Sequence, residues 1–417
     1  MNNQIFARNS SYSSLRSRNR WVDSFYVLGL LLIASFLLSF HLGSLPLTAQ
    51  ETLMVEDALQ DSGKAMIFPL MPKLISLSYA LHNHVVNAWT TRLPGAILTA
   101  LSVPLLYSLT GELYLTRRPK IFVTLMYLTT LPVICSGRLA NLTGISLCLT
   151  IWTIGALLRS RRNLTWAVGV GTGLGLAILT DGLIFLVLFS IILVFLYLDT
   201  PRLLLSVYFW TGVFLGVIPI FFWHFPLLNI PFLIPTLIAT RNSWHRFLDI
   251  IVFSMPWLIF WGSGLKFAIN SYSWSWSKLI LSWSATVLVF VLLMGARMPD
   301  LAMLLIPAFS LAGGTILAEV MTWPLNNSYP NSWKSSFSAV TLLSSAFSFL
   351  LLYKTLLNPS TMQQMFFLIF STFTVTLLLA TVLITKKDQQ FIATLFWGIY
   401  LVLLLLLNSP YWTTLII

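Results

Sequence analysis

Apolar runs long enough to cross a bilayer recur along almost the whole of this chain, and that repetition decides the class of fold before any motif is read. Of 417 residues, 57% are hydrophobic and 9% are charged, so the polar surface that a water-soluble globule needs is missing. The runs are rich in Leu, Ile and Phe without strict alternation, which argues against a transmembrane barrel, where lipid-facing and lumen-facing residues take turns. The expected class is therefore an all-α polytopic membrane protein. Spans are expected near residues 25–41, 93–109, 121–136, 145–158, 166–180, 183–198 and 204–223. Six more are expected near 250–265, 279–294, 301–317, 337–352, 366–384 and 391–407, for about thirteen crossings.

Charge then orients the loops. The formal charge of +12 would suggest nucleic acid, but the basic residues lie mostly in short loops, so no nucleic-acid partner is expected. Residues 1–23 read as a basic cytoplasmic tail ahead of an uncleaved first span, with Arg8, Arg16, Arg18 and Arg20. With the amino terminus inside, the clusters Arg117, Arg118, Lys120, then Arg159, Arg161, Arg162, then Lys386, Lys387 are cytoplasmic. Roughly sixteen basic residues fall inside against roughly eight outside. Segment 66–81, with Pro69, Pro72 and Lys73, then reads as a re-entrant or interfacial helix, because a crossing there would put the Arg117 cluster outside. Arg92, Arg138, Asp181, Arg241, His245, Arg246, Arg297 and Asp300 face outward in this topology.

Four of the twelve carboxylates, Glu51, Glu56, Asp57 and Asp61, sit together in the first outer loop. Acids beside a bilayer cost free energy and draw functional attention. A juxtamembrane amphipathic helix resting on Leu53, Met54, Val55, Ala58 and Leu59 would show the same acids to water. Both readings fit Glu51 and Glu56, and solvation suits Asp57 and Asp61 better. Arg92 and Arg138 flank spans on the side where positive charge is disfavoured, which suits either an ion pair or a phosphate contact. Lys73 fits a lipid phosphate or a snorkelling side chain. Arg241, His245 and Arg246 read as headgroup contacts, and Tyr272, Trp274 and Trp276 as an interfacial aromatic belt. His82, His84 and His224 lack metal-ligand spacing. The two cysteines, Cys135 and Cys148, lie in apolar runs, so neither a disulfide nor a thiolate metal site is expected. No internal repeat marks a transporter, and Glu112 and Glu319 lie near span ends rather than mid-span.

The order of motifs resembles the membrane domain of GT-C glycosyltransferases of the lipid A aminoarabinose transferase and protein O-mannosyltransferase type. The matching residues are Gln50-Glu51-Thr52, Asp61-Ser62-Gly63, the stretch Pro69 to Lys73, and Thr91-Arg92-Leu93-Pro94-Gly95-Ala96. Ser136-Gly137-Arg138-Leu139-Ala140, Gly295-Ala296-Arg297-Met298-Pro299 and Pro307 continue it, so that residues 25–317 are covered. The resemblance implies a GT-C-like bundle with amphipathic juxtamembrane helices in the first outer loop. A transmembrane module over 24–320 and further helices over 321–417 are expected. It also implies transfer of a hexosyl or pentosyl group, with inversion, from a polyprenyl-phosphate donor to a lipid, glycan or protein acceptor outside the plasma (bacterial inner) membrane.

In this family a first-loop carboxylate serves as general base or metal ligand. The resemblance thus makes Glu51 the base and Gln50, Glu56, Lys73, Arg92, Arg138 and Arg297 the donor or substrate contacts. A divalent metal ion is the only cofactor it brings. The chemistry is sound, since a hydroxyl acceptor needs a carboxylate to take its proton and a departing lipid phosphate needs cations. The chain departs from the family at the acids. Gln50 stands where the family has the Asp of an Asp-Glu pair, Thr143 replaces a second Asp, and Asp181-Gly182-Leu183 replaces a Lys-Gly-Pro. Either the carboxylate role has moved to Glu51 or Glu56, or the chain is a non-catalytic member of the fold that binds lipid or a membrane partner.

Overall fold

A computed structural model describes residues 20–59, 70–224, 244–294, 298–324, 329–357 and 359–412. The first half contains α1 (Arg20–Ser39), α2 (Ala49–Leu59), α3 (Leu70–Leu81), α4 (Ala88–Leu113), α5 (Arg117–Leu128), α6 (Leu131–Gly137), α7 (Thr143–Ser160), α8 (Trp166–Thr180) and α9 (Gly182–Asp199). The short α10 (Pro201–Leu204) leads to α11 (Val207–His224), then α12 (Trp244–Phe253), α13 (Trp257–Asn270), α14 (Ser275–Leu293), α15 (Met298–Met303) and α16 (Leu305–Val320). Last come α17 (Asn331–Leu357), α18 (Thr361–Thr385), α19 (Phe391–Leu407) and a 3₁₀ turn, Pro410–Trp412.

Among the described residues eight helices are long and apolar enough to cross a membrane, and two bent pairs raise this to ten. The chain is a multi-pass membrane protein. Expected spans 121–136 and 250–265 are the bent pairs, broken by 59° between α5 and α6 and by 95° near α13. Pro132 and Pro256 stand at these breaks, where a missing N–H and the ring bulk interrupt a helix. The expected crossings at 166–180, 204–223 and 391–407 coincide with α8, α11 and α19, whose described apolar lengths are under 18 residues. Residues 70–81, read as no crossing, form the 12-residue α3.

Helix α4 is the hub and lies against α1, α3, α5 and α7. Asn87 caps it by accepting from the Thr90 N–H at 2.8 Å, while Thr90 Oγ1 accepts from the Asn87 N–H at 3.1 Å. Pro94, inside the helix, cannot bond the carbonyl four residues back. That carbonyl, of Thr90, instead accepts from Ser78 Oγ of α3 at 2.8 Å, so the Arg-Leu-Pro element joins two helices. A Cβ on Gly95 would press on the Leu139 carbonyl, and one on Gly137 on the Thr99 side chain. These glycines let the 137–140 turn lie directly on α4.

Ion pairs gather at one end of the bundle. Asp23 accepts from Arg117 Nε at 3.0 Å, Glu112 from Arg162 Nη1 at 3.0 Å, and Asp199 lies 2.8 Å from Arg161 Nη2. Glu112 and Arg92 occupy opposite ends of α4, about 30 Å apart at the α-helical rise. The other charged centre is therefore a membrane thickness away. At the carboxyl-terminal side, α17 and α18 are joined by hydroxyls, with Ser344 and Ser348 at 2.6 and 2.7 Å from Thr374 Oγ1, a polar seam suited to hydrocarbon surroundings.

Candidate functional site

The second centre begins with a capping box. Thr48 Oγ1 accepts from the Glu51 N–H at 3.3 Å, and Glu51 Oε2 accepts from the Thr48 N–H at 2.9 Å, which starts α2 and turns the Glu51 carboxylate inward. There it meets Arg92, which donates from Nε to Oε1 and from Nη2 to Oε2, both at 2.8 Å. Oε1 also accepts from the Ala140 N–H at 3.0 Å. Arg92 spends its remaining N–H groups on the carbonyls of Leu42, Leu45 and Pro46, at 3.0, 3.0 and 2.9 Å. All five guanidinium donors are bonded, and the carboxylate accepts four hydrogen bonds. Both side chains are buried, at 0% and 2% exposure.

This arrangement revises the reading of Glu51 as general base. Burial alone pushes its carboxyl up, but the hydrogen bond from Arg92 and those from the Thr48 and Ala140 N–H groups outweigh it and hold it below the ordinary value of 4.5. A carboxylate with its lone pairs occupied and its pKa depressed is a weak proton acceptor. Nor do the residues fit a metal ion, since four N–H donors, two of them on a guanidinium, occupy the positions a cation would need. Glu51 and Arg92 form scaffold: they tie α2, the loop after α1, the start of α4 and the 139–140 turn into one unit.

Arg138 lies beside this unit and differs from it. The residue ends α6 at 0% exposure, and its Nη1 donates to the Leu37 carbonyl at 2.9 Å, at the negative end of α1. Among the described residues nothing bonds its Nε or Nη2. The Trp412 ring, from the 3₁₀ turn after α19, lies 4.4 Å from Arg138 Cζ and 5.2 Å from Arg92 Cζ. Trp412 is fully buried and, among the described residues, its Nε1 is also without a partner. An uncompensated buried charge costs several kcal/mol, and a desolvated cation–π contact offsets only about 2 kcal/mol. The open Nε–Nη2 edge is the fork that receives carboxylate or phosphate oxygens in pairs.

Residues 67–224 match the family of dolichyl-phosphate-mannose-protein mannosyltransferases. The structure of ArnT from Cupriavidus metallidurans bound to undecaprenyl phosphate superposes with a TM-score of 0.72 over 95% of this chain and 78% of that one, at 16% identity. Its apo state gives 0.68 over 94% and 78%, also at 16% identity. This chain has the GT-C fold. No curated protein sequence matches it.

On the GT-C scaffold the remaining expected residues separate. The inward face of α2 is Glu51, Met54 and Ala58, the last two against Met71, Ile75 and Tyr79, while Gln50, Glu56 and Asp57 are exposed. Lys73 is exposed on α3. Arg297 lies outside the described residues, as do Asp61, Arg241 and the side chains of His224, His245 and Arg246. Asp181 caps α9 through the Leu183 N–H at 3.0 Å. His82 bonds the Ser78 carbonyl at 2.8 Å and meets Trp89 edge-on. Trp276 is no belt residue but core, buried against Phe267 and Tyr114. Among the described residues no three His, Cys, Asp or Glu side chains converge. A cleft of about 480 Å³ between α8, α9 and α11, lined by Ile178, Phe185, Phe189, Trp210 and Phe214, carries no charged group and lies apart from the arginines.

Two features escaped the sequence reading. The Thr48-x-x-Glu51 capping-box spacing was available and would have marked Glu51 as a helix-start residue. Trp412 left no local signal, because its role depends on contacts with residues more than 270 positions earlier.

Proposed function

We propose that this chain is an integral-membrane glycosyltransferase that takes a sugar from a polyprenyl-phosphate donor at the extracytoplasmic face and passes it, with inversion, to a lipid, glycan or protein acceptor. The observation that carries the reading is the buried edge of Arg138, unbonded among the described residues, on a GT-C scaffold. A lipid phosphate supplies the paired oxygens that this edge lacks. That ArnT was solved with undecaprenyl phosphate supports this class of donor.

The acceptor oxygen attacks the anomeric carbon, the bond from that carbon to the phosphate oxygen breaks, and the acceptor proton passes to a carboxylate. Arg138 stabilises the charge that grows on the departing phosphate. Glu56, exposed on α2, is the proposed proton acceptor, since Glu51 is committed to Arg92. Lys73 and Arg297 are proposed as further cations for the donor. The end carrying Asp23, Arg117 and the Arg159–Arg162 cluster is assigned to the cytoplasm of a bacterial inner membrane, following the positive-inside rule.

The test is transfer from a panel of polyprenyl-phosphate sugars in proteoliposomes. Glu56→Gln is expected to lower turnover by at least about 10²-fold with donor binding retained, and unchanged turnover would remove Glu56 from the role. A second reading, a non-catalytic polyprenyl-phosphate-binding protein, is favoured by the saturation of Glu51 together with Gln50 and Thr143 at the family's Asp positions. Binding of donor without turnover across the panel selects that reading.

A further inference from the structure

A guanidinium makes all its hydrogen bonds in its own plane, so its bonding direction depends on what fixes that plane. For Arg138 the constraints are the Leu37 and Leu38 carbonyls, which accept from Nη1 at 2.9 and 3.4 Å, and the Trp412 indole, with its centroid 4.4 Å from Cζ. The indole is carried there by a secured turn. Tyr411 OH donates to the Met362 carbonyl at 3.0 Å and its ring meets Phe366 at 4.8 Å, which ties the turn to the start of α18. The Tyr411 N–H bonds Ser409 Oγ at 3.3 Å, and Ser409 Oγ donates to the Leu406 carbonyl at 2.7 Å.

The same indole also lies near Arg92, whose donors are fully used, so the ring stands between a fixed cation and one with an open edge. A buried indole N–H usually finds a partner. Here Trp412 Nε1 has none among the described residues, and neither have Nε and Nη2 of Arg138. Three desolvated donors thus occupy one stack of two side chains, drawn from α6 and from the turn after α19.

We infer that Trp412 is the positioning residue of a lipid-phosphate site: it covers one face of the Arg138 guanidinium and keeps the Nε–Nη2 edge presented to the phosphate. The inference rests on the phosphate reading above and extends it to the carboxyl-terminal segment, which contributes headgroup recognition as well as membrane helices. Trp412 acts on the headgroup through the Arg138 guanidinium, so its proposed contribution lies in discrimination between polyprenyl phosphate and the headless polyprenol.

The experiment compares affinities of the full-length protein in nanodiscs for polyprenyl phosphate and for polyprenol, in wild type, Trp412→Phe, Trp412→Leu and Arg138→Gln. Wild type is expected to prefer the phosphate. Trp412→Leu, which fills the space without a π face, should lose about tenfold of that preference. Trp412→Phe should keep it within about threefold, because the face stays covered. A Trp412 that only supported the fold would lower the melting temperature without changing this ratio. If Trp412→Leu discriminates like wild type while Arg138→Gln does not, the inference falls and the phosphate reading stands. A wild type with no preference for the phosphate overturns that reading, and the role of Trp412 with it.

Discussion

Arg92 and Arg138 are buried to the same degree, share one tryptophan and sit at one end of the bundle, yet one is fully bonded and the other half open. Arg92 neutralises Glu51 and exhausts its donors on carbonyls of the loop after α1, so moving it would leave a carboxylate and three carbonyls unpaired. Arg138 spends one corner on the end of α1 and presents the other to no partner among the described residues. The comparison teaches that burial of a charge does not by itself mark function. The count of satisfied donors does, because an incomplete count in a dry place is a standing free-energy cost that a ligand can relieve.

That contrast can be broken in order of effect. Glu51→Ala strands the Arg92 charge and should destabilise the protein by about 3–5 kcal/mol, read as a large drop in detergent melting temperature. A change under about 1 kcal/mol would mean that the pair is not scaffold. Arg138→Gln should cost little stability, since it removes an uncompensated charge, but should weaken polyprenyl-phosphate binding by tenfold or more, about 1.5–3 kcal/mol for a charged hydrogen-bonded contact. A large melting shift with unchanged binding would reverse the two assignments.

Acid sharpens the Arg92 side. The Glu51 carboxyl is lowered in the folded protein from 4.5, so its contribution is complete above that value and is lost as pH falls through the lower folded value. Wild type should therefore lose more melting temperature than Glu51→Gln between about pH 6 and pH 3, and parallel curves would contradict the assignment. The smallest effect belongs to the opposite end of the bundle. Asp23→Asn breaks the pairs with Arg117 and Lys120, but Asp23 is 32% exposed, so the loss should stay within about 1 kcal/mol.

The membrane class and the positions of most helices were legible because hydrocarbon imposes length and composition on every span. The two bends were signalled by Pro132 and Pro256, although the apolar runs around them read as single crossings. Arg92 and Arg138 were picked out by charge on the disfavoured side, but sequence alone gave them the same alternatives. Only the donor count separates them, and that count depends on carbonyls of the first helix and its loop, distant in sequence. Glu51 was read as a base because an acid in a family-like motif outweighed the local capping box that starts α2 and turns its carboxylate toward Arg92. The exposure of Glu56 follows from its position five residues beyond an inward-facing Glu51 on a 3.6-residue helix, which the sequence could have supplied.

The most direct test of the account is a structure of the protein in nanodiscs with a polyprenyl phosphate bound. Phosphate oxygens are expected at hydrogen-bond distance from Arg138 Nε and Nη2, with the Glu51–Arg92 pair unbroken and Trp412 still stacked. A phosphate held by Arg92 after Glu51 has been displaced, or one bound away from both arginines, would contradict it.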